Sequence, residues 1–117
     1  MSNHVADFVV RLISASPELA SIHRQHIADQ GELLPHVLMG EITTLVIAST
    51  ARSEPAEWRA KLLQQLESGL ESGNSDVAEL VGVSFVENLC GENAAVEALL
   101  PTMGNALRKE LKSICGI

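Results

Sequence analysis

The stretch 33–50, LLPHVLMGEITTLVIAST, is the longest apolar run in the chain, and the rest of the sequence has to be arranged around it. Leu34, Val37, Leu38, Ile42, Leu45 and Val46 recur at spacings of three and four, the period of one helical face. Ile47 and Ala48 widen that face, as in a helix covered on more than one side. Pro35 suits the first turn, where its missing N–H has no partner to lose. Gly40 costs about 1 kcal/mol relative to alanine inside a helix, which a close helix crossing at that point would offset. The run falls short of the ~20 uninterrupted apolar residues of a membrane span and contains His36 and Glu41. The expectation is a central buried helix over about residues 34–50.

The flanking sequence is helical by the same criterion. Ser2 or Asn3 can cap a first helix with Val5, Phe8, Val9, Leu12 and Ile13 on one side. Ser16-Pro17-Glu18 combines a capping oxygen, a first-turn proline and a first-turn acid, and opens a second helix with Leu19, Ile22, His23, His26 and Ile27 inward. Gly31 ends it, and the short link to the run at 33–50 predicts an antiparallel pair. Ser53-Glu54-Pro55 repeats the start signal ahead of Trp58, Leu62, Leu66 and Leu70, with Glu57 and Lys61 as an i,i+4 pair. Gly73-Asn74 reads as a turn. Asp76 and Glu79 suggest a capping box for a helix burying Val77, Leu80, Val81, Ser84, Phe85 and Leu89. Cys90-Gly91 closes that helix, Asn93 caps a short one, and Pro101 opens a last one with Met103, Leu107, Leu111 and Ile114 inward. No strand pattern competes. The fold class expected is all-α: one domain over residues 1–117, with six or seven short helices packed as antiparallel hairpins around the central one.

At 117 residues such a chain buries roughly two-thirds of its unfolded surface, enough for a core without metals or disulfides. Aromatic residues are only 3%, so stacking platforms for single-stranded nucleic acid are nearly absent. The net charge is −7, and its layout is uneven. Between positions 54 and 97 nine acids face only Arg59 and Lys61, while the remaining acids and bases balance. That layout disfavours nucleic acid and anionic membrane and fits a basic protein partner. Cys90 and Cys115 make no framework of their own, and MSNHVADFVVRL carries no basic n-region or long apolar stretch. The expectation is a cytoplasmic protein with free thiols.

Residues able to carry chemistry are few. His23, His26 and His36 make a three-ligand metal site geometrically conceivable, yet no Asp, Glu or Cys joins them at a recognisable spacing, and an interface role is preferred. Glu41 lies on an otherwise apolar ridge, where a carboxylate needs a partner; a buried arginine or a helix cap would supply one. Ser84 stands in GVSF, without the preceding strand of a nucleophile elbow. No cofactor and no catalytic residue is expected. Glu67, Glu71, Asp76 and Glu79 flank one turn, and Glu67 and Glu71 lie near a helix C-terminus where the macrodipole disfavours acids. With Trp58, an anchor type enriched at binding hot spots, these are the candidate partner-binding residues.

LLPHVLMGEIT, followed by ELVGVSFVENL and a closing helix running from Pro101 to an Arg after Leu107, resembles a family of small all-helical bacterial proteins. That family includes uncharacterised single-domain proteins and immunity proteins of contact-dependent growth-inhibition systems. The resemblance spans residues 33 to 111 and lies mostly at core and capping positions. It implies a helical fold and, as function, an immunity protein that binds and neutralises a cognate toxin domain, with a nuclease as the expected toxin. A helical adaptor or regulatory module without a toxin partner is the alternative.

Overall fold

The computed structural model describes residues 3–52 and 57–116, and among these the helices Pro17–Gln30 and Ser75–Val81 start at side-chain caps supplied by the sequence. Helix α1 (Asn3–Ile13) gives way to α2 (Pro17–Gln30), whose first free N–H groups are met by Ser16: its Oγ accepts from the Leu19 N–H at 3.2 Å. Gly31, at φ 78°, closes α2 in the left-handed conformation, its N–H bonded to the Ile27 carbonyl. Pro35 then opens α3 (Pro35–Thr50) as the sequence predicts. The start signal at Ser53-Glu54-Pro55 and the cap at Ser2 or Asn3 lie outside the described residues and side chains.

Helix α4 (Glu57–Glu71) leads through a turn at residues 72–74 into a continuous helical segment: α5 (Ser75–Val81), a π-helical stretch Gly82–Val86, and α6 (Glu87–Leu89). Helix α7 (Asn93–Leu99), a 3₁₀ turn at Leu100–Thr102 and α8 (Asn105–Cys115) complete an all-α fold, with no strand among the described residues. No helix in the described residues is long and apolar enough to cross a membrane.

The core is a single cluster to which nearly every helix contributes: Phe8 and Leu12, Leu19, Leu38 and Ile42, Leu62 and Leu66, Leu80 and Phe85, Leu89, Leu99, Leu107 and Leu111. Burying each of these side chains is worth about 1.5–3 kcal/mol, so the cluster is the dominant stabilising term. Helix α3 buries Leu38, Met39, Ile42, Thr43 and Val46 but leaves Val37 exposed and Leu45 half-buried. Burial is denser along 75–89, where Val77, Leu80, Val81, Gly82, Ser84, Phe85, Val86 and Leu89 are all covered. The π-helical stretch packs against α3 on one side and α8 on another, so α3 shares the centre with it.

Several local expectations are corrected. Gly40 hosts no close backbone crossing; the nearest atom to a Cβ there would be Asn88 Nδ2, at 3.8 Å. The close approach is at Gly69, where a Cβ would meet the Phe8 ring at 2.5 Å, so α1 lies directly on α4. Asn74, not Asp76, caps α5: its Oδ1 accepts from the Val77 N–H at 3.1 Å. Pro101 sits in the 3₁₀ turn rather than opening α8, and Asn93 is the first residue of α7 and makes no cap. Ile27 and Ile114, expected inward, are exposed. Glu57 and Lys61 form no salt bridge among the described residues.

The cysteines are the largest correction. Cys90 ends α6 and Cys115 ends α8; the two C-termini meet with 5.3 Å between Cα atoms, and a disulfide joins them. A count of two cysteines 25 positions apart does not reveal that two helix ends converge. The free-thiol argument for a cytoplasmic location falls with it.

Candidate functional site

The polar residues singled out by sequence resolve into three arrangements. The first is a hinge between α2 and α3. His26 is fully buried; its Nε2 accepts the Leu34 N–H at 2.9 Å, and its Nδ1 lies 2.7 Å from Glu41 Oε1. An N–H can only donate, so Nε2 carries the lone pair and the ring proton sits on Nδ1, donated to the Glu41 carboxylate. Glu41 thus has its partner, a histidine rather than an arginine or a helix cap. Both ring nitrogens of His26 are occupied, which leaves neither for a metal or a substrate proton. Among the described residues no group of three or more His, Cys, Asp or Glu side chains is placed to hold a metal ion.

The second arrangement spans α3 and the π-helical stretch. A π turn closes i→i+5, here the Glu87 N–H onto the Gly82 carbonyl, and it upsets the regular ladder around it. The Ser84 carbonyl accepts from Thr43 Oγ1 at 3.1 Å and Asn88 Nδ2 at 2.8 Å. The Ser84 hydroxyl shares a 2.5 Å hydrogen bond with His36 Nδ1. A serine bonded to a histidine is the nucleus of a nucleophilic site. Here Ser84 is buried, and His36 has no carboxylate behind it among the described residues. The pair fastens the start of α3 to the π turn.

The third arrangement is the acidic turn. Glu71, Asp76 and Glu79 are exposed around residues 72–74, as the sequence predicts. Glu67 is not a free acid. Its Oε2 accepts the Ala106 N–H at 2.7 Å and its Oε1 the Leu107 N–H at 2.9 Å, so it caps α8 from α4. Helix α8 has glycine at its N-cap and no acid in its first turn; Glu67 supplies both the missing acceptor and the negative charge its macrodipole favours. The expectation that Glu67 is a partner-binding acid, unfavourably placed at the end of its own helix, is therefore corrected: it stabilises α8. Gly104 is part of the same device, since any Cβ at that position would run into the Glu67 carboxyl group. Trp58 is half-buried against the core, and Arg59 Nη1 donates to Ser49 Oγ at 3.1 Å, holding α4 to α3. A cleft of about 290 Å³ separates the turn from α1; His4, Asp7 and Arg11 line it on the α1 side, and Ser72, Gly73, Asn74 and Val77 on the other.

A family model for a domain of unknown function (DUF7674) matches residues 9–116, nearly the whole chain. The chain belongs to the DUF7674 family. No curated protein and no solved structure matches it. The DUF7674 match takes in α2 to α8 and the C-terminal part of α1, and with them the His26–Glu41 hinge, the π turn, the Glu67 cap and the disulfide.

Proposed function

We propose that the protein is a non-catalytic, immunity-type binding protein that captures and blocks a cationic toxin domain. One observation carries this reading. Glu57, Glu71, Asp76, Glu79, Glu87, Glu92 and Glu97 are all exposed, and among the described residues no Lys or Arg pairs with any of them. Exposed carboxylates spread over α4 to α7 without Lys or Arg partners leave a predominantly negative field, which accelerates encounter with a cationic surface. Toxin nucleases need cationic clefts for phosphate, so an acidic helical domain is a complementary plug. The resemblance of residues 33 to 111 to a family of small helical bacterial proteins, which includes uncharacterised members and growth-inhibition immunity proteins, is compatible with this reading.

The test is association with the toxin-domain product of the neighbouring reading frame, measured by stopped flow across salt concentrations. The wild-type on-rate falls steeply with salt, and Glu71→Lys/Glu79→Lys lowers both the rate and the salt slope while circular dichroism stays unchanged. Glu67 is left intact because it caps α8. An on-rate indifferent to salt and to charge reversal refutes electrostatic capture, and no association at all leaves the adaptor alternative.

A further inference from the structure

Along residues 79–88 the chain shows solvent only a narrow ridge. Glu79, Val83, Glu87 and Asn88 are exposed, while Leu80, Val81, Gly82, Ser84, Phe85 and Val86 are covered. The two neighbours of Val83 explain its direction. Gly82 faces α8: a Cβ there would lie 3.4 Å from Ile114 Cδ1 and 3.8 Å from the Glu110 carboxyl. Ser84 faces α3, bonded to His36. Val83 is left pointing outward between the two helices.

Each helix in turn brings an exposed apolar residue to this seam. Val37 follows His36 and is 44% exposed, Ile114 is 37% exposed, and Val83 is 47% exposed. Ile114 thus lies beside the π turn at Gly82, and Val37 stands one residue along α3 from His36, which is bonded to Ser84 of that turn; Val10 and Ile27 lie on α1 and α2. The surroundings are acidic, with Glu79 and Glu87 four residues either side of Val83 and Glu110 beside Gly82. Glu110 also lines a groove of about 310 Å³ between α5 and α8, together with Leu70, Ala78 and Ala106; Lys109 is the one cation on it.

An apolar centre inside a charged rim is the anatomy of a binding hot spot. We infer that the Val37–Val83–Ile114 seam is a docking face for a cationic amphipathic helix of a partner protein, whose apolar stripe covers the valines while its Lys and Arg side chains meet Glu79, Glu87 and Glu110. The inference rests on the proposed capture of a basic partner and assigns that partner a face. It also places the contact on the π turn rather than on the turn at residues 72–74.

The probe is a synthetic leucine–lysine peptide with leucines at i, i+3, i+4 and i+7, titrated into the isotope-labelled full chain and followed by amide chemical shifts. The controls replace all leucines by serine, or all lysines by glutamate. Shifts centred on residues 79–88, 36–37 and 110–114, seen with the leucine–lysine peptide alone, support the docking face. Val83→Ser then weakens binding roughly tenfold, and Glu79→Lys/Glu87→Lys does likewise, while Val10→Ser on α1 changes nothing. Equal binding of the serine peptide, shifts centred on another face, or equal effects of Val10→Ser and Val83→Ser overturn it. If toxin capture remains salt-dependent but ignores Val83→Ser, the seam is refuted and the immunity reading stands. Peptide binding at the seam without any toxin capture refutes the immunity reading alone.

Discussion

Reducing the Cys90–Cys115 bond isolates one covalent contribution from the rest of the fold. The bond closes a loop of 25 residues that contains α7, the 3₁₀ turn and α8. In the chain-entropy account, releasing such a loop in the unfolded state costs the native state about 3.5 kcal/mol at room temperature. A chain of this length gains about 0.25 kcal/mol/K of unfolding entropy near its midpoint, so the loss corresponds to a fall in Tm of about 14 °C. The measurement is a pair of thermal and urea melts on oxidised protein and on protein held in excess dithiol, with thiol alkylation reporting the redox state. The Cys90→Ser/Cys115→Ser variant should melt with the reduced form. The urea slope should rise on reduction, because an unclosed chain exposes more surface. A shift below about 1 kcal/mol would refute the reasoning, since it would mean that the helix ends stay together without the bond or that the unfolded chain is already held there.

Three further outcomes follow from the packing. Leu38→Ala should cost about 2–5 kcal/mol in chemical denaturation, and Leu45→Ala clearly less, because only Leu38 is fully buried; equal losses would put the core on the wrong face of α3. Glu67→Ala should cost about 2 kcal/mol by removing the acceptor for two N–H groups of α8, while Glu71→Ala stays within about 0.5 kcal/mol; identical effects would deny Glu67 its capping role. His26→Ala strands the Leu34 N–H and the Glu41 carboxylate together, for about 1–3 kcal/mol and faster amide exchange at Leu34, and an unchanged exchange rate there would count against the hinge.

The helices were legible because local chemistry writes them: Ser16-Pro17, Gly31 and Pro35 mark ends within a turn of where they act. The inward residues of 75–89 were legible too, since Val77, Leu80, Val81, Ser84, Phe85 and Leu89 are all buried as the spacing predicts. The π turn was not, although LVGVSFV offered a hint: a run buried at nearly every position cannot be one face of a regular helix. Long-range partners left weaker marks. Glu67 and α8 lie about forty residues apart, and the only signs were an acid near the end of one helix and a later helix, opened by glycine, with no acid in its first turn. The Cys90–Cys115 pairing and the His26–Glu41 bond depend on which helix ends converge, and periodicity does not encode that.

The fit of Glu67 against Gly104 ties two distant positions into one heritable unit. A side chain at 104 has no room while the glutamate reaches across, and a shortened residue at 67 leaves glycine there with nothing to accommodate. Natural variants of this fold should therefore keep both residues or change both. A chain that gains a Ser, Asp or Asn at 104 has acquired its own cap for α8 and is free to lose the acid at 67. Among descendants of a common ancestor, these two columns would drift together even though no bond along the backbone connects them.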